Sequence, residues 1–292
     1  MDKNVWSIIT KNIVSVNRSY KRSGRRPKYS DILIVRMYLW AVCHDRPMCW
    51  ACIRHNYNNV FRPRNLPSIS QFSRRLKTER IEKIIQLVNE RLSQRHSFTK
   101  LSFFDGKALA ISKHSRDKEA KKGYADGSFR KGYKLHAWAT QDGRIPRFRV
   151  LPMNCGEPNT ARELTDLIPE GSLVLADANY DSAKLYQAVD ERNSQLLTPL
   201  KGMAQSIDYL RRMPKARKRA IELWKHFAKQ CRELLKIRYQ IERIFSAVTC
   251  FGGGLNPLPA WVRTLPRVRR WVCAKLIFYH ARLLIRKGYA NA

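Results

Sequence analysis

Three acidic residues stand out because each falls where a fold can aim it. Asp105 closes the apolar run Leu101-Ser102-Phe103-Phe104, and Asp177 closes Leu173-Val174-Leu175-Ala176. Both runs read as strands, and an open α/β sheet gathers its ligands at strand ends. Asp is also common at strand exits for turn-forming reasons alone. The third acid, Glu242, lies in a helical register where Leu234, Ile237, Ile241, Ile244, Phe245 and Val248 form one apolar stripe. Glu242 flanks that stripe, with Arg238 four residues earlier and Leu235 and Thr249 on the same flank. Taken alone, Arg238 and Glu242 read equally as an exposed i,i+4 ion pair worth about 0.2–0.5 kcal/mol.

Together, the three acids point to phosphodiester chemistry. In-line displacement at phosphorus uses one divalent ion to activate the attacking oxygen and a second, about 3.5–4 Å away, to stabilise the leaving oxygen. Magnesium prefers oxygen ligands and is usually held by one or two carboxylates plus substrate phosphate. If the three acids gather, the expected cofactor is Mg2+ or Mn2+, as two ions. Without metal, three such acids would repel DNA; with it, the site turns electropositive.

The composition agrees with a polyanionic partner. The 292 residues hold 57 Lys and Arg against 23 Asp and Glu, a formal charge of +34. Positive self-repulsion on that scale is tolerated best beside nucleic acid. A membrane partner is not expected: Ile32 to Cys43, the most apolar early segment, is interrupted by Arg36 and too short to span a bilayer. Met1-Asp2-Lys3 opens no secretory signal. Seven cysteines, an odd and scattered number, fit a reducing cytoplasm. Cys49-x-x-Cys52, with His44 and His55 nearby, invites zinc, yet no second pair completes a tetrahedral set, so these read as helical thiols.

The elements that must position the acids follow from periodicity. Residues up to about Arg95 read as short helices, broken at Lys21–Lys28 and at Arg62–Pro67. After the second break Ser68 caps a helix with Phe72, Leu76, Ile84, Val88 and Leu92 on one face and Gln71, Arg74, Arg75 and Lys77 on the other. A basic helix start after a tight turn suits the second helix of a helix-turn-helix, and equally an ordinary solvated face. Arg25 and Arg26, in Gly24-Arg25-Arg26-Pro27, could lie in a minor groove or form a charged linker. From Lys100 the pattern becomes a strand ending at Asp105, alternation over Tyr133 to Thr140, an Asp142-Gly143 hairpin into Ile145 to Leu151, and a helix from Ala161 to Leu167. A strand ending at Asp177, a helix over Ser182 to Asp190, a strand at Leu196 to Thr198, and long basic helices follow. The expected architecture is an α/β mixed sheet flanked by helices, behind an all-α helix-turn-helix-like leader, with domains at 1–98 and 99–292.

On these residues the chain resembles bacterial insertion-sequence transposases of the DDE class. The likeness lies in Phe104-Asp105-Gly106, in Lys131-Gly132-Tyr133-Lys134-Leu135-His136, in Ala176-Asp177-Ala178-Asn179-Tyr180-Asp181, and in Arg238-Tyr239-Gln240-Ile241-Glu242-Arg243-Ile244-Phe245. It implies an RNase H-like catalytic domain with Asp105, Asp177 and Glu242 as metal ligands. Arg238 would steady Glu242 or grip a phosphate. The implied partners are terminal inverted repeats and target DNA, met as a homodimer on DNA in the bacterial, nucleoid-associated cytoplasm. Many relatives carry Tyr seven residues before the Glu and Lys seven after it; Leu235 and Thr249 stand there, which bears on transposon-end contacts rather than on metal. Lys134, His136 and Arg243 are further candidates for DNA contact, with Arg74 and Arg75 in the leader. The segment Arg267 to Arg286 could track DNA backbone or be a packing helix with a wet basic side. The alternatives to a transposase are a catalytically inactive DNA-binding descendant and an RNase H-like nuclease without strand transfer.

Overall fold

The computed structural model describes residues 2–21, 24, 27–94, 96–125, 127–201, 213–250, 255 and 258–288. They form two compact units, 1–95 with 247–292 and 96–246. In the first, α1 (Lys3–Ser19) is capped by Asp2, which accepts from the Asn4 and Val5 amides, and α2 (Asp31–Cys43) follows. Next come α3 (Ile69–Leu76), closed by a capping box between Ser68 and Gln71, and α4 (Glu79–Ser93). Ile81, Ile84, Ile85, Val88 and Leu92 of α4 are buried, as the apolar periodicity predicts. The expected single helix from Ser68 is two, because Lys77 and Thr78 turn the chain between them. Asp31 is buried at the start of α2 and bridges Arg75 and Arg80.

The second unit is built on one mixed sheet. Its strands are β1 (Leu101–Ala110), β2 (Lys121–Ala125), β3 (Ser128–Thr140), β4 (Arg147–Pro152), β5 (Leu173–Leu175) and β6 (Gln195–Leu197). The order is β2-β3-β1-β5-β6, with β4 also on β3. β1, β3 and β4 pair antiparallel, and β5 and β6 run parallel to β1. Helices α5 (Glu157–Arg162), α6 (Ala183–Asp190) and α7 (Lys215–His226) supply Ala161, Leu185, Val189 and Ala220 to a core with Phe104, Trp138, Val174 and Leu196. α5 starts and ends several residues earlier than the sequence predicts, since Gly156 takes the N-cap position.

Two further differences concern the strands and helices around the acids. β1 does not end at Asp105: pairing with β3 continues to Ala110 opposite Gly132. An edge that gains its hydrogen bonds from a partner strand tolerates the polar residues at which an apolar-run reading stops. The expected continuous helix through Glu242 is α8 (Ala228–Lys236) and α9 (Tyr239–Thr249), separated at Ile237 and Arg238.

The last helix, α10 (Leu265–Arg286), corrects the domain boundary drawn from sequence, because it belongs to the first unit. Its Cys273 thiol donates to the Ile85 carbonyl, and His280 is hydrogen-bonded to Asn89 at 3.0 Å. Lys275 is buried, paired with Asp45 and set over the Trp271 ring. Trp271 and Tyr279 are buried too, so this helix packs on most of its circumference and its aromatics do not face DNA. A helix apolar nearly all round is an interior helix, and the interspersed arginines conceal that pattern in the sequence.

Candidate active site

The parallel ladder joins Leu101 to Leu173, Ser102 to Val174 and Phe103 to Leu175. The ladder stops at Leu175, so Asp177 follows the end of β5 by two residues, and its charge still acts on the Asp105 carboxyl. Asp105 lies at the middle of β1, two residues past the last one that pairs with β5. The Gly106 amide donates to Asp105 Oδ1 at 2.8 Å. Asp177 Oδ1 accepts from the Asn179 amide at 2.7 Å and caps the short turn Ala178–Tyr180.

Arg238 joins the third acid to the first. Its Nη1 is 3.4 Å from Asp105 Oδ2 and its Nη2 is 3.7 Å from Glu242 Oε1, so one guanidinium stands between the two carboxylates. Glu242 itself is 66% exposed along its side chain, against 16% for Asp105. Around Asp105 the structure adds two groups that sequence reasoning missed. Glu157, at the first position of α5, pairs with Lys134 Nζ at 2.8 Å, and both side chains are largely buried. That pair lies over Gly106, where an added Cβ would stand 2.9 Å from Glu157 Oε1 and from Lys134 Cδ. Tyr180 stacks on Phe104 with centroids 6.2 Å apart, and its buried hydroxyl has no hydrogen-bond partner. Glu157 is not legible beforehand because it falls on no strand tip and only the packing of α5 on the sheet brings it near, whereas Tyr180 stands in the quoted Asp177 motif without a role assigned to it.

Burial pushes the Asp105 carboxyl up to about 6, against the pull of the Gly106 amide and Arg238, and the negative charges of Asp177 and Glu157 add to the rise. Burial, and the same three acids, also hold the Tyr180 hydroxyl well above the usual phenol range. The site therefore carries surplus negative charge in a poorly hydrated place, which a divalent cation would relieve, and its donors are the hard oxygens that magnesium and manganese take. Asp105 and Asp177 fit such an ion. Glu242 is not brought to them, and among the described residues no group of three His, Cys, Asp or Glu side chains is close enough to hold a metal.

The Asp105 titration gives an expected result of its own. Its carboxyl titrates higher in the folded chain than in the unfolded one, near 3.9. The fold thus favours the protonated form, and the associated stability is full below pH ~4 and lost as pH rises through about 6. In a chelating buffer near pH 7, Asp105→Asn should be more stable than the wild type by about 2 kcal/mol, a gain that shrinks to nothing towards pH 4. Melting curves across that range check it; a gain independent of pH would contradict the burial argument.

The other residues singled out from the sequence divide clearly. Arg243 is exposed, with its guanidinium over the Tyr239 ring at 4.7 Å, and Arg74 is exposed on α3. Arg75 instead turns inward to Asp31, and Lys134 is held by Glu157. His136 corrects its expected role most sharply: it is buried on the helix-covered face, and burial and Lys134 lower its pKa to about 4, so it is neutral and out of reach of phosphate. Alternation alone could not say that both faces of β3 are covered. Arg25 and Arg26 lie outside the described residues. Cys49 and Cys52 lie in the turn Met48–Cys52 with free thiols. No helix among the described residues is long and apolar enough to cross a membrane.

Comparison with known proteins bears on the whole second unit. The chain is 30% identical over 91 residues to the transposase for insertion sequence element IS1106 of Neisseria meningitidis serogroup B, an overlap of 31% of this chain and 32% of that protein. The chain thus matches about a third of that relative's length. Among solved structures, the piggyBac transposase in a synaptic complex with hairpin DNA aligns over 97% of this chain and 73% of its own, with a TM-score of 0.45 and 9% identity. A model of the transposase DDE domain matches residues 96–279, more than half of the chain, beginning where the sheet unit begins and spanning Asp105, Asp177 and Glu242. By that match, the chain belongs to the transposase DDE domain family.

Proposed function

We propose that this chain cuts and joins DNA strands at the ends of an insertion sequence, with Asp105, Asp177 and Glu242 as ligands for two Mg2+ or Mn2+ ions. The observation that carries the reading is that the Arg238 guanidinium stands between Asp105 and Glu242, while the charge of Asp177, just past the end of β5, acts on Asp105. When bound, the ions activate an attacking oxygen and stabilise a leaving one. The chain's own residues prepare the place. The Gly106 amide orients Asp105, the Asn179 amide orients Asp177, and Arg238 balances Asp105 and Glu242 until cation or phosphate takes over. For Glu242 to reach the other two acids, Arg238 must release it, which an i,i+4 pair at the break between α8 and α9 does at small expense.

The strand order supports an RNase H-like reading of the sheet unit, in which β4-β3-β1 form the antiparallel half and β5-β6 the parallel half. The capped, basic α3 supports a DNA-binding role for residues 1–98, with Arg74 exposed on it. Recognition of terminal inverted repeats, insertion into target DNA, a homodimer on DNA and residence in the bacterial cytoplasm beside the nucleoid belong to the same proposal. A second reading, a DNA-binding descendant without catalysis, is favoured by the exposure of Glu242 and by Leu235 and Thr249 flanking it. Magnesium titration against labelled DNA carrying the element's ends separates the readings. Strand transfer requires joined products, an RNase H-like nuclease gives cut products alone, and binding without any product leaves only the second reading.

A further inference from the structure

The two most exposed large apolar side chains among the described residues are neighbours. Tyr124 is 63% and Phe129 77% exposed, and they face each other across the β2–β3 ribbon. Their rings meet edge to face with centroids 5.6 Å apart. Directly behind them in register, on the same face, stand Lys122 and Lys131. Lys121 and Arg130 line the opposite face, and the sequence from Lys121 to Lys131 holds one acid, Asp126, which lies outside the described residues. The base of the ribbon is fixed. Lys131 Nζ donates to the Ser115 carbonyl at 2.6 Å, and Gly123 lies so close to Met153 that a Cβ would stand 2.5 Å from the Met153 carbonyl oxygen. The ribbon is the β2–β3 edge of the sheet, carrying an exposed aromatic pair near its end with cations behind it.

We propose that this ribbon tip is a stacking platform for unpaired bases of a DNA strand, a role that rests on the reading of DNA as the partner. Lysines one pleat behind the rings can meet the backbone of a strand whose bases lie on Tyr124 and Phe129. That combination of aromatic faces and cations takes single strands without regard to sequence. Continuous duplex hides its base faces and offers the rings only groove edges. The rings' exposure fits either an unstacked base or an apolar protein surface, and the ribbon's excess of positive charge favours the polyanion.

The test compares the full-length wild type with Tyr124→Ala/Phe129→Ala on a blunt duplex and on the same duplex with a short unpaired tail carrying 2-aminopurine. The wild type should bind the tailed DNA at least about fivefold more tightly and change the probe's fluorescence on binding. The double variant should lose both effects and keep its affinity for the blunt duplex. Both residues are exposed, so the variant should melt as the wild type does, and Phe129→Trp should retain the preference. An unchanged tail preference in the double variant would overturn the platform, as would an equal loss on both DNAs. A change of oligomeric state with DNA binding untouched would reassign the rings to a protein contact. A wild type that bound neither DNA would instead overturn the reading on which the platform rests.

Discussion

Asp105→Asn should lower strand cleavage in magnesium by about 10³-fold or more, the equivalent of ~4 kcal/mol, while DNA affinity stays within about twofold. The substitution keeps shape and removes charge. The Asn side-chain carbonyl can still accept from the Gly106 amide, which now bonds Asp105 at 2.8 Å. Arg238 keeps Glu242 as a partner. What is lost is the anion that, with Asp177, the proposed site would offer to a metal ion. Misfolding cannot imitate this result, because the same variant should be more stable than the wild type near neutral pH. Asp177→Asn should behave alike, and the double variant should fall no further than either single one, since the two act as a unit. Glu242→Gln should cost as much if α9 delivers it to the ion, and little if its exposed position persists on DNA. Cleavage by Asp105→Asn at the wild-type rate would remove the enzymatic reading and leave a cationic DNA binder.

How far the sequence foretold this site depends on the kind of signal. Asp105 and Asp177 are legible because each follows an apolar run, and those two runs pair in parallel in the sheet. Glu242 was placed by helical period, and its flank position holds, although the break at Ile237 and Arg238 was not visible in a stripe that runs through it. Lys134, His136 and Arg75 show the limit of reading charge as exposure. A lysine or arginine in a basic chain can be absorbed by a distant acid, here Glu157 or Asp31, and only tertiary packing reveals the match. The β2–β3 ribbon escapes the sequence reading although the dipeptide Asp126-Gly127 stands between aromatic residues there, because glycine and lysine on both sides hide the alternation. The regrouping of α10 with the first helices was beyond any local pattern, since chain order says nothing about which core a terminal helix completes.

The same strand-exit motif that supplies Asp177 contains a second acid with a different task, and its removal should produce the largest loss of stability in the sheet unit. Asp181 has no side-chain exposure, and Arg217, its partner at 2.9 Å, has 7%. Asp181 Oδ2 also accepts from the Lys201 amide at 2.7 Å, so one carboxylate ties together the chain after β6 and the first turn of α7. A negative charge beside a helix start is favourable in itself. Asp181→Ala leaves the Arg217 guanidinium buried without its carboxylate, and breaking a buried pair from one side costs about 3–5 kcal/mol. For a unit of this size that is roughly 10 °C in melting temperature. Asp181→Ala/Arg217→Met should recover much of the loss, because no charge is then stranded. Urea denaturation of the four members of this cycle measures it, and a loss below about 1 kcal/mol for Asp181→Ala would mean that water reaches the pair. The contrast with Asp177 is the sharper point: four residues apart, Asp177→Asn should spend activity and keep the fold, whereas Asp181→Ala should spend the fold, with whatever activity survives tracking the folded fraction.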